Sequence, residues 1–331
     1  MKTEKFDFYN STNLKSYNLD EKIRYQLKML EGLDTVTRKH SESVANITCR
    51  LCEYLHLDKG FTIYCTTCAY IHDLGKIFIP ASILQKTSKL TDEEYEIMKT
   101  HTTIGYEMCM KDPKLRPYAA GTLYHHESLN GSGYPNGLLG KKIPYEGQII
   151  RVADEFDAIT AKRQYKTHVG IVETLNILIS ETKPNPNAKD KHVGKIDKKI
   201  LKALFKIVID DTEYEIVARI DYLNYLKKEI KRLKTAEKYF YKMDKTKNAE
   251  KKEYFRQYAR YYLHPNEKVD LIPQIIKEME TAYEQRKAHI NKLYGEVKQI
   301  KKLRVWKSFG QFRCCSCLKR GYIQHVCALA F

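Results

Sequence analysis

Apolar positions recur at steps of three and four along most of this chain, and nowhere do they alternate convincingly. Between Asn18 and Leu57 the stripe reads Ile23, Leu27, Leu30, then Val44, Ile47, Leu51 and Leu55. Phe61 to Leu74 is an apolar run that contains His72-Asp73 near its end. Thr91-Asp92-Glu93-Glu94 has the form of a capping box with an acidic first turn. The helix it opens is expected to carry Tyr95, Met98, His101, Ile104 and Met108. Pro113 and Pro117 punctuate a loop before a helix bearing His125. Five glycines and two prolines between Gly131 and Gly147 predict a loop, and Gln148 to Ala161 predicts another helix. The fold class expected is therefore all-α.

A break at Lys183-Pro184-Asn185-Pro186-Asn187 precedes a different pattern. From about Tyr214, Ile216, Ile220, Leu223, Leu226, Ile230 and Leu233 form one seam. Ile272, Ile276, Met279, Tyr283, Ile290, Leu293, Val297 and Ile300 form a second, interrupted by Arg286. Such heptad-like seams favour long packed helices or a coiled coil. Leu263-His264-Pro265-Asn266 marks a turn between the arms. The expected organisation is a lead segment over 1–19, a catalytic domain over 20–210, a helical extension over 211–307 and a Cys-containing tail over 308–331.

Charge sharpens this division. The 331 residues carry a net charge of +17. Residues 1–180 hold 23 Lys and Arg against 22 Asp and Glu, whereas residues 181–331 hold 35 against 19. The basic half suits either a solvated helical surface or contact with nucleic acid, an acidic protein or an anionic surface. A leftover apolar seam would favour a homodimer through these helices. No apolar run is long enough to span a membrane, and Met1 to Asn10 is not a signal peptide. Nine cysteines without an export signal predict reduced thiols in a cytoplasm.

The candidate chemistry lies in the first half. His40, His72, His101, His125 and His126 each follow or end an apolar helical stretch, which turns them inward. Burying so many polar groups is costly unless a metal or hydrogen bonds satisfy them. Histidine nitrogen with aspartate oxygen suits Fe, Mn or Zn. Helical neighbours diverge by about 100°, so the adjacent pairs His72-Asp73 and His125-His126 suit two ions better than one. Asp73, with two oxygens, can bridge them. Two ions roughly 3.5–4 Å apart, holding a bridging hydroxide, are a recurrent device for phosphoester hydrolysis.

In order and spacing these segments resemble the HD-GYP family, a subgroup of the HD-domain metal-dependent phosphohydrolases. The resemblance covers about residues 20–210. It rests on Asp34 to Ser41 around His40, His72-Asp73 with Lys76, and Thr100 to Gly105 around His101. It also rests on His125-His126-Glu127 through Gly133-Tyr134-Pro135, and on Asp154 and Asp157 to Thr160 with Arg163 and Lys166. It implies an HD-type helical bundle whose metal ligands are His40, His72, Asp73, His101, His125, His126 and Asp154. It implies catalytic roles for Asp73 and Lys76, and substrate contacts from Gly133, Tyr134, Pro135, Arg163 and Lys166. The activity implied is hydrolysis of cyclic di-GMP, a bacterial second messenger, to linear pGpG, with a second cut to GMP left open, and with two divalent ions per chain, Fe or Mn.

Some members hold a third metal through a glutamate four residues before the first histidine. Val36 stands there and cannot ligate, which favours two ions. Asn130 replaces a usual Asp, and Ile159 a common leucine. Two other readings remain open at this point: an HD-type phosphohydrolase for another nucleotide, and a non-catalytic cyclic-dinucleotide sensor or scaffold. The paired cysteines Cys49/Cys52 and Cys65/Cys68 are expected to pack in the core. Cys314, Cys317, His325 and Cys327 offer a small zinc site as the alternative to a packed or disordered tail. Tyrosines interleaved with lysines near Tyr239 and from Tyr254 to Tyr262 are expected to pack, with base stacking the alternative.

Overall fold

The computed structural model of the chain describes residues 35–160 and 169–303. Among these residues no strand forms, and a single isolated antiparallel bridge joins Asn130 to Leu139. The all-α expectation holds. The described residues divide into two compact units, with the boundary between Val208 and Ile209.

In the first unit, α1 (Thr35–Tyr54) packs on α2 (Lys59–Ile71). Asp58 caps α2, accepting from the Phe61 amide. A 3-10 turn, Leu74–Phe78, follows directly. Helices α3 (Asp92–Lys99), α4 (His101–Lys111), α5 (Ala119–Tyr124), α6 (Tyr145–Thr160) and α7 (Ile171–Glu181) complete the bundle. Val44, Leu51, Ile71, Leu74, Ile149, Ile150 and Leu175 form its interior. Cys49, Cys52, Cys65 and Cys68 are free and buried within it, as their spacing on helices predicts.

The capping box at the start of α3 is present. Thr91 Oγ1 accepts from the Glu94 amide, and the Glu94 carboxylate accepts from the Thr91 amide. The single helix expected through Met108 is instead broken at Thr100. The hydroxyls of Thr100, Thr102 and Thr103 each donate to a carbonyl three residues back, competing with the helical ladder there. His101 consequently sits at the first turn of a new helix.

One helix, α8 (Lys198–Lys245), begins well before the seam at Ile216 and continues into the second unit. There it is joined by α9 (Ala249–Tyr261) and α10 (Ile272–Lys302). Ile216, Ile220 and Leu223 pack on Ile290, Leu293 and Val297, while Leu233 packs on Ile272 and Ile276. Low numbers on α8 meet high numbers on α10, so the two run antiparallel. Lys301 pairs with Glu213 at 2.7 Å, and Arg232 grips Glu267 at 2.5 Å. The interruption at Arg286 has a structural use: its guanidinium lies 4.8 Å from the centre of the Tyr222 ring. The tail over 308–331, with Cys314, Cys317, His325 and Cys327, lies outside the described residues.

Candidate metal centre

The bundle converges seven polar side chains on one interior point. His40 comes from the second turn of α1 and Asp154 from α6. His72 and Asp73 lie between α2 and the 3-10 turn, while His125 and His126 follow the last turn of α5. Both adjacent pairs thus fall just past helix ends, where the chain can direct neighbours to different sides. All of these side chains are buried except His126, which is partly open.

Two constellations have ligand geometry. His40, His72 and Asp73 form one, and His101, His125 and His126 the other, each with its donor atoms within 4.8 Å of one another. Asp73 lies between them. Its Oδ2 is 3.3 Å from His72 Nε2 and 3.8 Å from His40 Nε2. Its Oδ1 is 3.5 Å from His101 Nε2 and 3.9 Å from His125 Nε2. Asp154 also faces both ways, with Oδ1 2.9 Å from His40 Nε2 and Oδ2 3.8 Å from His126 Nδ1.

Backbone contacts fix the tautomers. Nδ1 of His72, His101 and His125 lies within 2.6–3.0 Å of the carbonyls of Ala69, Met98 and Gly121. A carbonyl only accepts, so each Nδ1 carries a hydrogen and each neutral ring presents an Nε2 lone pair inward. Burial lowers the His101 pKa to about 4 and holds His125 and His126 well below the usual histidine range. His101 Nε2 and His125 Nε2 nevertheless face each other at 3.2 Å. Two bare lone pairs at that distance repel unless a cation lies against both. Asp73 Oδ1 is likewise buried with no hydrogen-bond partner. Facing lone pairs, an orphaned carboxylate oxygen and a nitrogen-rich donor set all fit divalent transition-metal ions.

The surrounding residues hold this arrangement. Asp157 Oδ2 accepts from His40 Nδ1 at 2.6 Å, and Ser43 donates to the other Asp157 oxygen. Burial alone would lower the His40 pKa, but hydrogen bonds to Asp154 and Asp157 outweigh it and raise it to about 9. Burial would raise the Asp73 pKa, yet His72 and Lys76 hold it well below the carboxylate range. Lys76 Nζ donates to Asp73 Oδ2 at 2.5 Å. Gly75 is required by close approach, since a Cβ there would lie 2.0 Å from the His101 carbonyl. That contact lets the 3-10 turn bring Asp73 against His101.

The Gly-Tyr-Pro loop lies beside the second constellation. Tyr134 stacks on His126, with ring centres 4.7 Å apart. Gly133 allows this, because a Cβ there would meet the Ser128 amide at 2.3 Å. Pro135 follows through a cis bond. The buried Glu127 carboxylate accepts from the amides of Asn136 and Leu138 at 2.7 and 2.8 Å and ties the loop down. Tyr95, half-exposed on α3, meets Tyr134 edge to face, and Lys99 Nζ is 5.4 and 5.8 Å from the two ring centres.

The structure therefore brings together all seven sequence-predicted ligands, Lys76, Gly133, Tyr134 and Pro135. Arg163 and Lys166 lie outside the described residues. Val36 is 67% exposed on α1. Sequence reasoning gave no role to Asp157, Glu127, Tyr95 or Lys99. Asp157 was detectable by its i+3 spacing from Asp154 on one helix face; the loop tether by Glu127 left no such signal.

Residues 24–185 match the HD domain family model. Over these residues the chain is similar to the HD domain family, and its likeness is to the HD-GYP type. A cyclic di-GMP phosphodiesterase of Thermotoga maritima is 44% identical over 143 residues, covering 42% of this chain and 39% of that one. A 3'3'-cGAMP-specific phosphodiesterase 2 of Vibrio cholerae is 37% identical over 139 residues, covering 41% of this chain and 27% of that one. Among solved structures, Bd1817, a HDG"Y"P protein of Bdellovibrio bacteriovorus, aligns over 61% of this chain and 66% of that one, at 22% identity and a TM-score of 0.43. The chain spans less than half the length of these two curated relatives. No described helix is long and apolar enough to cross a membrane.

Proposed function

We propose that this chain is a two-metal cyclic dinucleotide phosphodiesterase, with cyclic di-GMP as substrate and linear pGpG as product, a second cut to GMP being the alternative. The observation that carries the reading is Asp73, whose two oxygens face two separate nitrogen clusters. His40, His72, Asp73 and Asp154 would hold one ion, and His101, His125 and His126 the other, with Asp73 shared. Fe or Mn suits this donor set. When bound, such a pair polarises a phosphodiester and generates a nucleophile from water at neutral pH.

The chain's own groups do the rest. Lys76, anchored on Asp73 and partly open to solvent, brings a positive charge to the edge of the centre, where a phosphoryl oxygen gathers negative charge. Asp157 keeps the proton of His40 on Nδ1, which leaves Nε2 for a metal. Tyr134, Tyr95 and Lys99 form an aromatic and cationic wall beside the second constellation, suited to a purine face. Arg163 and Lys166 are assigned to the substrate phosphates.

Relatives named for two different cyclic dinucleotides make the base the open variable. Turnover of cyclic di-GMP and 3'3'-cGAMP by the metal-loaded chain, with products separated by chromatography, tests the reading. Preferred conversion of cyclic di-GMP to pGpG supports it. Hydrolysis of neither, with metals bound, would replace it with a sensor or a different nucleotide hydrolase.

A further inference from the structure

The tip of the second unit concentrates two features that its interior does not need. Residues 227–262 hold 13 Lys and Arg against 5 Asp and Glu. Lys238, Lys242, Lys245, Lys247, Lys251, Lys252 and Arg260 are all exposed. The same stretch carries a chain of aromatic rings. Helix α9 folds back along the end of α8 so that Tyr239 meets Phe255, Tyr258 and Tyr262 at 6.2, 4.7 and 6.4 Å. Tyr254 and Tyr258, one helical turn apart, continue it at 5.6 Å, and Tyr261 meets Tyr262 at 5.4 Å.

The inner rings are packing, as the sequence pattern predicts. The outer ones are not covered: Tyr241, Tyr254 and Tyr261 are 64%, 57% and 82% exposed. Lys242 lies over Tyr239 and Phe255, and Lys245 over Tyr241, which holds cations beside ring faces. Every large apolar side chain exposed between 227 and 262 is a tyrosine. A membrane-docking tip would instead present Leu, Phe or Trp for insertion. Flat amphipathic rings set among lysines match the requirements of an unpaired nucleic acid strand, whose bases stack while its phosphates meet the cations.

We propose that the α8–α9 tip binds single-stranded nucleic acid without strong sequence preference, independently of the HD centre. The probe is a 20-nucleotide fluorescein-labelled oligo(U) RNA, titrated with the full chain and read by anisotropy. Binding should fall steeply with salt. Tyr254→Ala with Tyr261→Ala, both exposed and distant from the buried seam, should weaken it by about fivefold or more per ring. Lys247→Gln, Lys251→Gln and Lys252→Gln together should reduce the salt slope by roughly 0.7 per residue. Lys292→Gln, an exposed change on α10 away from the tip, should leave affinity unchanged. Cyclic dinucleotide turnover should be unaltered by all of these variants, which keeps this test separate from the assignment of the HD centre. Unchanged affinity in the tyrosine variant would overturn the proposal. So would absence of RNA binding at low salt, or binding only to phosphatidylserine vesicles.

Discussion

Glu127→Gln exchanges one atom of a buried side chain, and its consequences can be worked from two distances. The carboxylate accepts from the Asn136 amide at 2.7 Å and from the Leu138 amide at 2.8 Å. A glutamine keeps one acceptor oxygen and turns an NH2 group toward the other amide. One charge-assisted bond worth about 1.5–3 kcal/mol is lost, and a buried amide is left without a partner. A local destabilisation of about 3 kcal/mol is expected, which at about 1.4 kcal/mol per tenfold raises loop opening roughly hundredfold. Tyr134, inside the same loop, would then leave its stack on His126. Native-state hydrogen exchange reads this directly, at the amides of Asn136 and Leu138. Both should lose about two decades of protection while the amides of α1 and α2 keep theirs. Substrate KM should rise more than kcat falls. Unchanged protection at both amides would refute the tether.

Lys76→Ala is expected to lower the maximal rate with metals retained, whereas Arg163→Ala is expected to raise KM for cyclic di-GMP; steady-state kinetics with metal analysis separates them, and unchanged affinity in Arg163→Ala removes the phosphate clamp. A chain ending near Asp211 is expected to keep its metals and some hydrolysis while changing oligomeric state; light scattering that shows both forms monomeric at micromolar concentration excludes a dimerisation arm. The metal-free protein is expected to be most stable near pH 6.5. The raised pKa of His40 gives stability that is present below about 6.5 and lost as pH rises through about 9, and the lowered pKa of His101 gives stability that is lost as pH falls from about 6.5 through about 4. Thermal melts in chelator across that range check both limbs, and a monotonic profile contradicts them.

Much of the site could be read without coordinates because its chemistry is local in sequence. His72-Asp73 and His125-His126 announce themselves as pairs, and each residue sits where an apolar helical stretch ends. What could not be read depends on contacts between distant segments. The bridging place of Asp73 follows from its adjacency to His72, but nothing in the chain says that His40 and His72 would face one of its oxygens and His101 and His125 the other. The hold of Glu127 on Asn136 and Leu138 spans a loop whose path is set by Gly133 and its neighbours. The break at Thr100 was hidden because the apolar period runs through it, while the threonine hydroxyls compete for the backbone. In the second unit the antiparallel pairing of the two seams follows from their period and from the turn at His264-Pro265. The separate helix α9 was missed, although Asn248 caps it by accepting from the Lys251 amide. Charge and tyrosine content mask any apolar stripe there.

A pair of ions sharing Asp73 is checked by anomalous scattering at the Fe and Mn edges from crystals of anaerobically purified protein. Two ions are predicted, one against His40, His72 and Asp154 and the other against His101, His125 and His126, with the Asp73 carboxylate between them. A single ion, or a third one beside Val36, would contradict it.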